Sequence, residues 1–110
     1  MRNQLESEFH GAMIDIYRRA KADADYTATR FIGMVSEQGG LETARYLLHA
    51  AKVSDGYTAL WERGRLDLTV EAVILEDKWK PLFTKTEREI AVARLKEYGF
   101  TGLLPDPFSE

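Results

Sequence analysis

The chain has 110 residues, enough for one domain with its own core but not two. Hydrophobic residues at 45% and charged residues at 30% exclude a disordered, collagenous or low-complexity chain. Fifteen basic against 18 acidic residues give a net charge of -3, which argues against broad phosphate-driven binding of nucleic acid, and the absence of cysteine excludes disulfides, thiolate metal sites and cysteine nucleophiles.

Apolar spacing in chain order predicts helices almost throughout. From Leu5, apolar residues return at Phe9, Ala12, Met13, Ile16 and Ala20 and stripe a long first helix, with Ile14 on the opposite side. Asp23, Asp25 and Tyr26 interrupt it, and a second helix is expected from about Thr27 to Gln38, burying Ala28, Phe31, Ile32 and Val35. Gly39 and Gly40 end that helix, because glycine enters the left-handed region at little cost. A third follows from Leu41 to Ala51.

Ser54 reads as the cap of a short fourth helix carrying Tyr57, Leu60 and Trp61 and stopping near Gly64. Asp67 or Thr69 caps a fifth, with Val70, Ala72, Val73, Ile74 and Leu75. Its β-branched residues also permit a strand, but Glu71 and the run Glu76-Asp77-Lys78 break any alternation. Pro81 is expected to end or kink this segment. Thr84 with Glu87 three residues later is a capping-box pattern for the last helix, and Gly99 is its stop. The expectation is a single all-α domain over 1–100, a compact bundle of five or six short helices, followed by an extended tail over 101–110 that holds Pro105 and Pro107.

The segments Thr29-Arg30-Phe31, Met34-Val35, Gly39-Gly40-Leu41, Leu47-Leu48 and Ser54-Asp55-Gly56-Tyr57 carry a likeness, as do Leu60-Trp61-Glu62 and Gly64 through Glu71. With Leu82-Phe83-Thr84, Arg94-Leu95 and Tyr98-Gly99-Phe100, the chain resembles a family of small bacterial helical domains with no assigned function. The likeness covers about Tyr26 to Phe100 and is most specific from Trp61 to Glu71. It implies a bacterial, cytoplasmic protein and carries over no activity and no catalytic residue.

Two charges fall where helical geometry expects hydrophobes. Glu71 lies between Ile74 and Leu75 on a helix apolar almost all round, and Arg94 lies among Ile90, Ala91, Leu95 and Tyr98. A buried charge needs a partner, since an unpaired one costs several kcal/mol. Arg94 or Arg65 is therefore expected to pair with Glu71, Asp67 or Glu62 in a semi-buried network, chiefly one that fixes helix register. These five residues are the candidate binding site.

Catalytic motifs are absent from the sequence: there is no nucleophile elbow, no phosphate-binding loop and no dinucleotide fingerprint. His10 sits at the edge of the first stripe and His49 on an expected solvated face. Lys78, Lys80, Lys85 and Arg88 gather around Pro81 among acidic neighbours, as a mixed solvated surface would. The longest aliphatic run, Ala72 to Leu75, is far below the roughly 18 residues that a membrane span needs. Neither a cofactor nor a metal is expected.

The sequence therefore favours a non-catalytic protein-interaction module of the bacterial cytoplasm, pairing with another protein or with a second copy of itself. Ile14, Leu103, Leu104 and Phe108 are the candidate contact residues. One alternative is a small DNA-associated regulator reading DNA through the helix–Gly39-Gly40–helix hairpin, against which the negative charge and the lack of a basic stripe count. Another is a ligand or metal site built on Glu62, Asp67, Glu71 and His49, although no histidine lies near these acids in sequence.

Overall fold

A computed structural model describes residues 3–102 and residue 104. Among these the chain forms six α-helices and no strand: α1 Gln4–Ala24, α2 Thr29–Gln38, α3 Gly40–His49, α4 Asp55–Glu62, α5 Val70–Ile74 and α6 Lys85–Glu97. Two 3-10 helices, Leu66–Leu68 and Asp77–Leu82, flank α5. The all-α bundle expected from the sequence is what the chain forms.

Local chemistry sets the boundaries. The side chains of Asn3, Ser54, Thr69 and Thr84 accept backbone N–H bonds in the first turns of α1, α4, α5 and α6. At Thr84 the full reciprocal capping box forms with Glu87. The fifth segment departs from expectation at its end. Helix α5 stops at Leu75, before an extended Glu76, so Pro81 does not terminate it but sits inside the second 3-10 helix. Proline fits there because a 3-10 turn asks for few internal bonds and the turn is already closed by Phe83 N–H donating to Lys80 O.

Helix α3 is the centre of the bundle, packed by α1, α2 and α6. Its approach to α1 depends on Gly40. A Cβ there would stand 2.8 Å from the His10 Cα and 3.0 Å from Met13 Cγ, while Gly40 N–H donates to His10 Nδ1 at 3.0 Å. The preceding Gly39 has φ 90, a region that side chains rarely enter. We expect Gly40→Ala to cost about 1–3 kcal/mol through overpacking against α1 backbone. Urea denaturation followed by circular dichroism measures the loss, and an unchanged midpoint would disprove the close contact.

The main core joins Phe9, Met13, Ile16, Val35, Ala44, Leu48, Val73, Ile74, Trp79 and Phe83. Ile14, read as facing away, instead packs half-buried against this core, because the first stripe is wider than one row of side chains. Two smaller clusters sit apart: Ala20 with Leu60 and Leu68, and Tyr57 with Leu66 and Leu95. Of the expected tail, Leu104 is half-buried against the Tyr57 cluster, while Leu103 and Phe108 lie outside the described residues.

Candidate functional site

Thr69 aims the buried charge. Its hydroxyl donates to Leu66 O at 2.7 Å and accepts from Ala72 N–H at 3.2 Å, which fixes the start of α5 and leaves Glu71 facing inward. Arg94 reaches it from α6. Its Nη1 donates to Glu71 Oε2 at 2.9 Å and to Leu47 O at 3.0 Å, and its Nη2 donates to Ala50 O at 2.8 Å. The two carbonyls belong to the last turn of α3 and its cap, where helical geometry leaves oxygens without intrahelical donors. One guanidinium thus neutralises a buried acid and caps the central helix, placing positive charge at its negative end. Tyr57 adds α4 by donating from its hydroxyl to Arg94 O at 2.9 Å.

Only 4% of the Glu71 side chain and 11% of the Arg94 side chain is exposed. Burial pushes the Glu71 carboxyl above its ordinary range, while its own backbone N–H and Arg94 pull against that. Burial, followed by the Glu71 charge, likewise holds the Tyr57 phenol protonated well above its usual value.

The other three residues expected in this network stand elsewhere. Arg65 grips Asp67 with two bonds of 3.0 and 3.1 Å, a local fork within one turn of chain. That hydrogen bonding lowers the Asp67 carboxyl from its ordinary value. Glu62 lies exposed at the end of α4 and joins neither pair. The five residues therefore form a buried pair, a surface pair and a solvated acid. Among the described residues, no group of three His, Cys, Asp or Glu side chains is arranged to hold a metal.

A second polar cluster, around Glu87, was not foreseen. Glu87 Oε1 accepts from Thr84 N–H at 2.9 Å, which is the capping box, and Oε2 lies 2.9 Å from His49 Nε2 and 3.8 Å from Arg45 Nε. Since a carboxylate only accepts, His49 donates. Arg45 also donates to Leu82 O at 2.9 Å. The capping pattern revealed one carboxylate oxygen's task, and only the tertiary crossing of α3 over α6 supplies the other's. His49, expected on a solvated face, is exposed and also reaches Glu87 on α6.

Burial opposes ionisation of Glu87, but the Thr84 N–H, His49 and Arg45 outweigh it and the carboxyl titrates below its ordinary 4.5. An acid whose folded pKa is depressed adds stability above its unfolded pKa and loses it as pH falls through the folded one. We therefore expect stability to drop on acidification through and below about pH 4.5, and Glu87→Gln to flatten that drop. Glu71 acts with the opposite sign, so the comparison of the two proteins, by urea midpoint from pH 7 downward, isolates Glu87. Equal slopes would refute its part.

Among the described residues a cleft of about 520 Å³ is walled by the second half of α1, α2, the end of α3, the start of α4 and the start of α5 with the segment before it. Phe31, Met34, Leu47, Tyr57 and Val70 give it a mainly apolar lining, with Glu71 in its wall. Tyr46 stands at its edge, 61% exposed. Arg30, Lys52 and Asp55 are exposed lining residues and make up its rim.

Helix α3, the candidate recognition helix of the hairpin, buries Thr43, Ala44 and Leu48 and ties Arg45 to Leu82 and Glu87. Its outward residues are Glu42, Tyr46 and His49, which offer phosphate no lysine or arginine. No helix among the described residues is long and apolar enough to cross a membrane. Comparison with protein-family models, with curated proteins and with solved structures gave no match to the chain.

Proposed function

We propose that the protein is a non-catalytic interaction module of the bacterial cytoplasm that binds another protein through the cleft beside α2. The cleft itself carries this reading: its volume of about 520 Å³ and mainly apolar lining suit the anchoring side chains of a docked segment. Tyr46, large and exposed at the edge, is the kind of residue that dominates binding when a partner excludes water around it. Both histidines also have partners within the fold, as His10 accepts from Gly40 N–H and His49 is turned to Glu87. The Arg94–Glu71 pair serves the module by fixing the end of α3 and the start of α5, two walls of the cleft.

Site-specific photocrosslinking in the native host tests this. With p-benzoylphenylalanine in place of Tyr46, one discrete protein adduct is expected. The same group in place of Lys96, exposed on α6 outside the cleft, should give none. Filling the cleft from its rim with Ala28→Trp should abolish the adduct. No adduct from position 46, or the same adducts from both positions, would overturn the proposal.

A further inference from the structure

We infer that the segment received by the cleft is acidic: a stretch of a partner protein with an aromatic or aliphatic anchor and carboxylates beside it. This rests on the docking reading above and adds to it the sign of charge. On a chain of net charge -3 an arbitrary patch of surface is more often acidic than basic, yet the margin of this cleft is not. Arg30 and Lys52 both stand exposed on it, and neither forms a hydrogen bond or ion pair among the described residues. Elsewhere Arg45, Arg63, Arg65, Arg88 and Arg94 are each held by an acceptor within the fold.

The cleft's two acidic lining residues do not cancel this charge. Glu71 is matched by Arg94, and Asp55 lies in the first turn of α4, where the helix dipole opposes it. The first turn of α2, which also lines the cleft, has neither a side-chain cap nor an acidic residue, so its N–H groups add to the same positive potential. An apolar anchor would satisfy the lining, and flanking carboxylates would meet Arg30 and Lys52. A basic or neutral segment would leave both cations unmatched.

The test is a titration of the full ¹⁵N-labelled chain at low ionic strength, followed by amide chemical shifts. One synthetic peptide has a central leucine–phenylalanine pair flanked by glutamates, and its counterpart has lysines in their place. The acidic peptide is expected to shift the amides of Thr29, Phe31, Tyr46 and Val53 and to bind about tenfold more tightly than its counterpart. Its advantage should fade with added salt, because exposed charges are screened over about 8 Å at physiological strength. Replacing both exposed cations, Arg30→Glu with Lys52→Glu, should reverse the order of the two peptides without altering the far-ultraviolet circular dichroism. Equal affinities would overturn the acidic partner and leave the docking reading standing. Cleft amides unmoved by either peptide would overturn both. Shifts at the same amides on concentrating the chain alone would assign the cleft to a second copy and also overturn the inference.

Discussion

Arg94→Ala is expected to cost about 3–5 kcal/mol, the range for breaking a buried ion pair by removing one member. Against a total stability of about 5–15 kcal/mol for a domain this size, that brings the chain near unfolding at ambient temperature. Two losses combine. Glu71 is left buried with its charge unmatched, and the Leu47 and Ala50 carbonyls lose their donors. The first loss is pH-dependent. Without Arg94 the carboxyl of Glu71 rises further, so protonation relieves the penalty and the gap between variant and parent narrows as pH falls. The second loss is not. Replacing both partners with apolar residues, Arg94→Met with Glu71→Leu, should recover part of the stability but not the portion owed to the α3 carbonyls. Arg94→Lys should be costly too, because a single ammonium cannot span three acceptors that a planar fork reaches together. Urea midpoints for the four proteins at pH 7 and pH 5 separate these contributions. A loss below about 1 kcal/mol for Arg94→Ala would mean that the pair behaves as a surface salt bridge.

Phe9→Ala should be of similar size, about 3–5 kcal/mol, for a different reason. Phe9 is fully buried, with its ring edge-on to Trp79 and to Phe83, each at 5.2 Å between centroids. Truncation removes the apolar surface, opens a cavity and ends both aromatic contacts, which add about 0.5–1.5 kcal/mol per pair beyond burial. Phe9 fastens α1 to the second 3-10 helix and the start of the α6 segment, so the cavity cannot close by moving one side chain. Phe9→Leu keeps more of the volume but loses both ring contacts, and should cost about 1–3 kcal/mol, less than Phe9→Ala. Near-ultraviolet circular dichroism reports the packing of Trp79 when Trp61, the other tryptophan, is replaced by phenylalanine in every protein compared. A Phe9→Ala protein as stable as Phe9→Leu would show that the site collapses freely.

These two positions also mark how far the sequence could be read. Phe9 is visible as a stripe residue, since a 3.6-residue period needs only neighbours in sequence. Arg94 and Glu71 stand out because each interrupts such a stripe, and the need to neutralise a buried charge brings them together in expectation. What Arg94 does for α3 is not legible, because Leu47 and Ala50 act through backbone carbonyls that carry no residue signature. Nor is the separation of Glu62, Arg65 and Asp67 from that pair. Four charges close in sequence suggested one network, whereas the turn at Gly64 and the 3-10 helix after it send them to different surfaces. Pro81 marks a break in the sequence pattern, whereas α5 ends earlier, at Leu75, and extended Glu76 leads into a 3-10 helix that buries Trp79 in the core, an arrangement with no local breaker to announce it. The cleft lies beyond sequence reading altogether, as its walls come from segments remote along the chain.

The unequal sizes of the three apolar clusters have a consequence for motion. Helix α4 is eight residues long and is anchored through Tyr57 and Leu60, which belong to the two small clusters rather than the main core. Elements with few buried contacts open locally at a lower free energy than the whole domain unfolds. The amides of α4 are therefore expected to exchange hydrogen through a local opening, and those of α3, clamped on three sides, chiefly when the bundle comes apart, as hydrogen-exchange rates against urea would check. The cleft has one wall that yields and one that does not, and an occupant seated between them would slow exchange on the α4 side alone.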